Sequence, residues 1–375
     1  MLAIGIANCF ADMTYEGARS ATGQFLGALG ASAAAIGFTA GLGELLGYGL
    51  RSISGIIADR TGKYWLVGIG GYIVNMLAVP ALALAGAWPM AAALIVTERT
   101  GRAIRKPAMD AMLSFAGKQI GHGWVFGLNE ALDQTGAAIG PLVLALVLFR
   151  NGGYRLGFAL LSIPALLTIG TIVSARLIFR NPQELEPAEA IRTEQFPKVF
   201  WIYLAANACI AAGLADFALI GFHLQRMHVV SAGFIPIYYA AAMASGAISG
   251  MVLGKLFDRL GTVVLAAVFV ISAIGTPLVF LSASLGALAG MILWGIGVAA
   301  QGSLMRALVA GIVPVHKRSS AFGIFDAGSG VAWFGGSWLM GALYGRSITA
   351  LIVFSIAAQL ASIPLLIFAA RDRAG

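Results

Sequence analysis

The stretch Gly55–Lys63 reads GIIADRTGK, and 199 residues later Gly254–Gly261 reads GKLFDRLG. Both copies contain Gly-x3-Asp-Arg-x-Gly, and each closes a long apolar segment. A motif that recurs at the same place in two apolar repeats indicates a chain made of two related halves. Internal repeats of membrane helices are typical of secondary transporters.

The composition predicts an integral membrane protein. Of the 375 residues, 59% are hydrophobic and 11% are charged, which is about half the charged share of a typical soluble domain. Glycine is abundant, with 49 residues, as expected where helices pack closely in lipid. The net charge of +8 is concentrated in the loops, so it does not indicate nucleic-acid binding.

Breaks at Gly, Pro and charged residues divide the chain into apolar segments, and a membrane span needs about 20 such residues. We predict twelve spans, at residues 2–26, 33–58, 65–87, 89–115, 122–149, 154–178, 198–224, 231–257, 262–284, 286–312, 319–344 and 347–370. They form an N-terminal six-helix bundle, 1–179, and a C-terminal one, 198–375, joined by a polar linker, 180–197. The predicted fold class is all-α, with two pseudo-symmetric bundles in the membrane.

Basic residues near the segment ends predict the orientation. Most of them, including Arg60, Lys63 and Lys255, lie on the side of the linker. The opposite ends hold Arg150, Arg155, Arg226 and Arg346. We therefore expect a multi-pass protein of the cytoplasmic membrane with both termini in the cytoplasm. No cleavable signal peptide is expected, because no basic region or cleavage site precedes a soluble domain.

With two six-helix halves, a cytoplasmic linker and Gly-x3-Asp-Arg-x-Gly-Lys after the second span, the chain resembles the major facilitator superfamily over essentially its whole length. The resemblance implies two bundles around a central cavity and transport by alternating access. Two departures stand out. The family pattern often ends in two basic residues, whereas Lys63 is followed by Tyr64 and the second copy ends in Thr262.

The doubled motif is predicted to form a cytoplasmic gate. Its residues are Gly55, Asp59, Arg60, Gly62 and Lys63 in the first copy and Gly254, Asp258, Arg259 and Gly261 in the second. Asp59 is expected at the positive N-terminal end of the eleventh span, where Ser319 is a candidate N-cap. Asp258 is expected at the start of the fifth span. The alternative is that these charges only keep tight cytoplasmic loops in water.

The fifth span carries Gly136-x3-Gly140-Pro141. This pattern resembles the start of the superfamily's antiporter motif, which is associated with exporters. The later glycines of that motif are missing, since Val143 and Leu144 follow. The alternative is a glycine seam for close helix packing with a proline kink.

Ionisable side chains inside the predicted spans indicate a functional pathway, because each costs on the order of 3 kcal/mol at the bilayer centre. The predicted substrate and proton pathway comprises Asp12, Tyr15, Glu16, Arg19, Glu44, Arg51, Glu98, Arg99, Arg102, Arg105, Asp110, Glu130 and Asp133 in the N-terminal half and Asp216, Arg306 and Asp326 in the C-terminal half. The alternative is that these groups form internal ion pairs that only hold the helices together.

Two roles are open to these residues. A buried carboxyl group can take up and release a proton near neutral pH, and the candidate proton carriers are Asp12, Glu16 and Asp133. A buried arginine stays charged and offers a fork of donors to carboxylate or phosphate. Arg102 and Arg105 are therefore candidate anchors for an anionic or zwitterionic substrate.

The sequence lacks a Walker A pattern, a His-Glu-x2-His and a Cys-x2-Cys, so we expect no ATP-driven pump, no metal, no cofactor and no enzyme.

The predicted function is alternating-access transport of a small organic solute with proton coupling. The partial antiporter motif favours export, whereas the arginines favour an anion or zwitterion moved in either direction, by import or uniport. A non-transporting receptor of the same fold is a further alternative. The expected partners are a small-molecule substrate, protons and the lipid bilayer, and the protein is expected to act as a monomer.

Overall fold

The computed structural model describes residues 2–120, 122–178, 196–313 and 318–372, and regular structure in these ranges is helical. The helices are α1 Leu2–Ala28, α2 Ala33–Thr61, α3 Tyr64–Ala81, α4 Trp88–Ile120, α5 His122–Phe149, α6 Gly153–Leu160, α7 Ser162–Ile178, α8 Lys198–Gly213, α9 Phe217–Arg226, α10 Phe234–Leu260, α11 Thr262–Leu281, α12 Ser284–Ile312, α13 Arg318–Tyr344 and α14 Ile348–Asp372. A 3₁₀ turn, Leu82–Leu84, follows α3.

These fourteen helices of the described ranges match the twelve predicted spans because two spans are interrupted. The sixth span comprises α6 and α7, which separate at Leu161. The seventh comprises α8 and α9, which separate at 214–216. Asp216 caps the second piece, since its Oδ1 accepts a hydrogen bond of 2.9 Å from the backbone N of Ala218.

Within the described ranges, nine helices are long and apolar enough to cross a membrane. The predicted spans outside that set are those of α1, α4 and α13. α1 and α4 are more polar because they carry most of the ionisable side chains of the predicted pathway. They pack against the apolar helices α3, α5 and α7. The chain is therefore an integral membrane protein.

The chain divides into two compact units. Unit 1 comprises Met1–Ala31, Leu46–Ala188 and Ala232–Ala240, and unit 2 comprises Ser32–Leu45, Glu189–Ser231 and Ala241–Gly375. The first part of α2 thus belongs to unit 2, and the start of α10 belongs to unit 1. The predicted bundle limits stay a prediction, and most of the predicted linker, 180–197, lies outside the described residues.

Glycines set the spacing between the helices that carry the candidate site. In unit 1, a Cβ atom on Gly136 would overlap the carbonyl oxygen of Cys9, and one on Gly140 would overlap that of Met13. These contacts join α5 to α1, and Pro141 follows inside α5. The packing alternative for Gly136 and Gly140 is therefore sufficient to explain both residues.

The last glycine of each motif copy forms the same turn. Gly62 has φ of 66° and Gly261 has φ of 63°, in the left-handed region that favours glycine after a helix end. The N–H of Gly62 donates to the carbonyl oxygen of Ala58 at 2.9 Å, and that of Gly261 donates to Phe257 at 2.8 Å. The doubled motif therefore ends two helices, α2 and α10, in the same way.

Candidate functional site

Eight charged side chains of α1, α4 and α5 form what we call the charged cluster of unit 1. Its members are Asp12, Glu16, Arg19, Glu98, Arg99, Arg102, Arg105 and Asp133. Helical periodicity places the residues of each helix on one face. Four carboxylates face four arginines, so the cluster is formally neutral when all of them are ionised.

Arg105 joins three helices. Its Nη1 donates to Asn8 Oδ1 on α1 at 3.1 Å, and its Nε donates to Asn75 Oδ1 on α3 at 3.2 Å. Its Nη2 lies 3.7 Å from Asp12 Oδ1, and its guanidinium lies 4.6 Å from the ring centroid of Tyr72. Because Arg105 is only 3% exposed, these contacts compensate a charge that is almost fully removed from solvent.

Asn8 connects this arginine to α5. Its Nδ2 donates to Asn129 Oδ1 at 2.9 Å, and Asn129 Nδ2 donates to Asp133 Oδ2 at 3.0 Å. The hydroxyl of Tyr72 donates to Asn8 Oδ1. Asp133 therefore belongs to the same hydrogen-bond network as Arg105.

Glu98 is buried and engaged on both carboxylate oxygens. Asn75 Nδ2 donates to its Oε1 at 2.6 Å and to its backbone carbonyl at 3.0 Å. Its Oε2 lies 3.6 Å from Nε of Arg99. The Asn75 contacts tie α4 to α3, whereas the Arg99 contact joins neighbouring residues of α4.

Tyr15 is the aromatic centre of the remaining arginines. Its hydroxyl accepts hydrogen bonds from Nη1 of Arg99 and, at 3.2 Å, from Nη1 of Arg19. The guanidinium of Arg102 lies 4.0 Å from the ring centroid and that of Arg99 lies 4.7 Å from it. Cation–π attraction stabilises this stacking. Three positively charged guanidinium groups are therefore gathered around the neutral side chain of Tyr15.

Glu16 lies next to this positive group. Its Oε2 accepts a hydrogen bond from the hydroxyl of Tyr239, which lies in the part of α10 that belongs to unit 1. Both side chains are buried. The positive charges of Arg19 and Arg102 attract the carboxylate of Glu16. Glu16 is thus, with Glu98, one of the carboxylates that lie beside the arginines around Tyr15.

A small cavity of about 20 Å³ adjoins the cluster, which is room for about one water molecule. Tyr15, Arg19, Glu98 and Arg99 form its polar wall. Val79, Leu82 and Ile95 form its apolar wall. The cavity places polar and apolar surface side by side within unit 1.

Other residues of the predicted pathway lie apart from the cluster. Arg51 stacks on Tyr48 of its own helix at 4.7 Å, and Asp110 forms an ion pair of 3.3 Å with Lys106. Glu44 is buried in the part of α2 that belongs to unit 2. The side chain of Glu130 lies outside the described ones.

In unit 2, the predicted pathway residues do not form one cluster. Nη2 of Arg306 donates to both carboxylate oxygens of Asp326 at 3.0 Å, and this pair is partly exposed. Asp216 instead caps α9. Among the described residues of the chain, no group of three His, Cys, Asp or Glu side chains is arranged to hold a metal ion.

The predicted gate is described only in part. A Cβ atom on Gly55 would lie 3.4 Å from Cβ of Pro107, which is an ordinary contact between α2 and α4. At Gly254 a Cβ atom would meet no described atom within 4 Å. The basic residues Arg60, Lys63 and Arg259 are exposed, and the side chains of Asp59 and Asp258 lie outside the described ones.

Tyr72 and Asn75 were not predicted as site residues, and neither was the contact between Tyr239 and Glu16. Tyr72 and Asn75 are three residues apart on α3, so they lie on one helix face. Both are fully buried among apolar residues of that helix. A polar pair at this spacing in an apolar span was the signal that could have identified them. No local pattern links residue 239 to residue 16.

Comparison with known proteins identifies the family. The model of the Major Facilitator Superfamily matches residues 4–337. The chain is 36% identical over 375 residues to an uncharacterized protein of Mycobacterium tuberculosis, with 98% of this chain and 91% of that protein covered. It is 22% identical over 357 residues to an uncharacterized MFS-type transporter of Methanocaldococcus jannaschii, with 91% and 87% covered.

Solved structures share the fold at low identity. The peptide transporter POT in complex with sulfate has a TM-score of 0.79 at 12% identity, with 99% of this chain and 93% of that chain covered. The nucleoside transporter NupG has a TM-score of 0.76 at 14% identity, with 99% and 98% covered. The match of the family model over most of the chain, together with this fold, shows that the chain belongs to the major facilitator superfamily of transporters.

Proposed function

We propose that this protein moves a small organic solute across the cytoplasmic membrane by proton-coupled alternating access, with both termini in the cytoplasm. The observation that carries the proposal is the charged cluster of unit 1. Each ionisable group kept inside a membrane helix costs on the order of 3 kcal/mol, and packing alone is achieved more cheaply with apolar residues. Membership of a transporter superfamily gives the cluster a function that justifies this cost.

The members of the cluster divide into two groups. Arg105, Glu98 and Arg99 are buried and hold α1, α3 and α4 together. Asp12, Glu16 and Asp133 are the candidate proton carriers. Glu16 is favoured among them because its contact with Tyr239 comes from a helix distant in sequence. Gain or loss of a proton on Glu16 changes its hydrogen bond with Tyr239, so the change is passed from α1 to α10.

The direction of transport has less support. Packing against α1 accounts for Gly136 and Gly140, so these glycines give no separate argument for antiport. Three arginines around Tyr15 favour a substrate with an anionic group. Asp59 and Asp258 are proposed as gate residues on the family resemblance, and their neutralisation should stop transport without reducing expression.

Transport by purified protein in liposomes tests this function without knowledge of the substrate. The vesicles are incubated with a water-soluble extract of bacterial cells under a pH gradient of either sign, and their contents are identified by mass spectrometry. We expect at least one solute to accumulate above the level of empty vesicles and to be lost when a protonophore is added. Accumulation with an acidic exterior indicates symport, and accumulation with an acidic lumen indicates antiport. No protein-dependent solute would contradict the function, and accumulation that ignores the gradient would contradict the coupling.

A further inference from the structure

Accessibility divides the four arginines of the charged cluster into two pairs. Arg99 and Arg105 are 8% and 3% exposed, and each has a carboxylate of the cluster within 3.7 Å. Arg19 and Arg102 are partly exposed. Arg105 therefore holds α1 and α3 to α4, and Arg99 bonds Tyr15 of α1, whereas Arg19 and Arg102 keep partial exposure.

Arg102 is arranged for a further ligand. Its buried Nε has no hydrogen-bond partner among the described residues, although its guanidinium stacks on the ring of Tyr15 at 4.0 Å. Stacking fixes the plane of a guanidinium and leaves its N–H edge available to a planar anion. A buried donor without a partner is costly, so a ligand that accepts from it gains affinity.

We propose that Arg19 and Arg102, held by Tyr15, bind the carboxylate of a monoanionic substrate, and that Glu16 carries the proton that enters with it. The proposal rests on the transport function proposed above and specifies its substrate class and its coupling ratio. Arg105, which the sequence placed beside Arg102 as a substrate anchor, is assigned instead to the scaffold.

The charge balance of the cluster sets how many protons are transported with each anion. When all four carboxylates and all four arginines are ionised, the empty cluster is formally neutral. A bound monoanion makes it negative by one charge, and one proton restores neutrality. Net charge in a poorly solvated site is costly, so the favoured loaded form holds one anion and one proton. Transport is then electroneutral symport, in which the proton comes from the same side as the anion.

Glu16 is the carboxylate best placed to accept this proton. The anion would compete with Glu16 for Arg19 and Arg102, whose positive charges attract its carboxylate. The groups that face Glu16 are Asp12 and Arg19 on its own helix, Arg102 on α4 and Tyr239 on α10. Of the other helices packed on α1, α5 carries Asp133 and α7 carries Arg176 in its last turn. Glu98 is held by Asn75 at 2.6 Å.

Thermal unfolding of the detergent-purified full chain tests the anion site. The ligands are acetate, lactate, benzoate and hexanoate, each compared with its uncharged amide at mildly acidic and mildly alkaline pH. We expect at least one acid to raise the Tm and its amide to leave it unchanged. Arg102→Gln should weaken the apparent affinity about tenfold or more, the loss expected when a charge-assisted hydrogen bond is removed. The matched control is Lys106→Gln, one turn further along α4, which should bind like the wild type.

Three results would overturn the site: no shift with any acid, equal shifts with acids and amides, or equal affinity in Arg102→Gln and Lys106→Gln. If Arg102→Gln does not fold, Arg102→Lys keeps the charge without the planar fork and should bind with intermediate affinity. The transport function fails separately. Solute accumulation that persists in Arg102→Gln removes the anion site and leaves the transporter, whereas acid binding without any accumulation removes the transporter.

Discussion

Asn8 in unit 1 and Asn207 in unit 2 lie 199 residues apart, the offset of the doubled motif. Asn8 joins α1 to α3, α4 and α5, and Asn207 joins α8 to α12 and α13. Asn8 Oδ1 accepts from Nη1 of Arg105 at 3.1 Å, and Asn207 Oδ1 accepts from Nε2 of Gln301 at 3.2 Å. Arg105 and Gln301 are themselves separated by 196 residues, the offset between α4 and α12 in the repeat. The two halves therefore use one hydrogen-bond plan with a charged donor in unit 1 and a neutral donor in unit 2.

The same substitution of neutral for charged side chains continues around both asparagines. The hydroxyl of Ser329 accepts from Asn207 at the position that corresponds to Asp133. Asp12, the partner of Arg105, corresponds to Ala211. Because unit 2 forms the same pattern of hydrogen bonds without charged side chains, the pattern itself serves helix packing. The charges are an addition in unit 1, and they are what the proposed function uses.

The largest effect is expected when Arg105 is replaced by glutamine, the residue at its counterpart Gln301. Arg105→Gln leaves Asp12 buried without its ionic partner, which should lower the free energy of unfolding by about 3–5 kcal/mol. The double variant Arg105→Gln, Asp12→Ala reproduces the neutral pattern of unit 2 and should recover most of that loss. Unfolding by SDS in mixed micelles measures both. A double variant less stable than the single one would show that the neutral pattern of unit 2 does not pack in unit 1.

Removal of the two asparagines should have a smaller, unequal effect. Asn8→Ala deprives Arg105, Tyr72 and Asn129 of a partner, whereas Asn207→Ala affects neutral groups only. A buried polar group left unsatisfied costs about 1–3 kcal/mol, and more when it is charged. We expect Asn8→Ala to be the more destabilising variant in the same SDS titration. Equal losses would indicate that the charge of Arg105 is compensated elsewhere.

Glycine packing should be equivalent in the two units. A Cβ atom on Gly140 would overlap the backbone of α1, and one on the corresponding Gly336 would overlap the backbone of Ala212 in α8. Gly140→Ala and Gly336→Ala should each cost about 1–3 kcal/mol through overpacking, measured as the fall in stability in detergent. Gly70→Ala is the control, because a Cβ atom there meets no described atom within 4 Å. A control variant as unstable as the other two would remove the packing argument.

The smallest effect is expected at the exposed pair of α4. Lys106 and Asp110 are 32% and 42% exposed and lie one helical turn apart. Pairs of this kind contribute about 0.3–0.5 kcal/mol. Asp110→Asn should therefore leave both stability and transport close to those of the wild type. Loss of transport in this variant would extend the functional site beyond the charged cluster.

The sequence predicted the helical fold well because its signals are local. Spans followed from apolar length, and the doubled motif located the turns at Gly62 and Gly261, where φ is positive. The breaks in the sixth and seventh spans were not predicted, since apolar length continues across Leu161 and Leu214. Charge inside the spans located most of the charged cluster, on α1 and α4.

The contacts within the site could not be predicted from the sequence. Periodicity places Arg102 and Arg105 on one arc of α4 and gives them the same role. Burial and partners in the folded protein separate them, because Arg105 has the carboxylate of Asp12 and Arg102 has the ring of Tyr15. Such pairings depend on how α1, α3 and α4 approach one another, which a single sequence does not encode locally.

We propose that the charges of unit 1 couple solute movement to protons. Gradient-driven accumulation in proteoliposomes, compared with solute exchange at equal pH, tests it in the variant Glu16→Gln, with Asp110→Asn as the control. We expect Glu16→Gln still to exchange solute across the membrane but no longer to concentrate it against its gradient. A Glu16→Gln protein that concentrates solute as well as the wild type does would contradict the account.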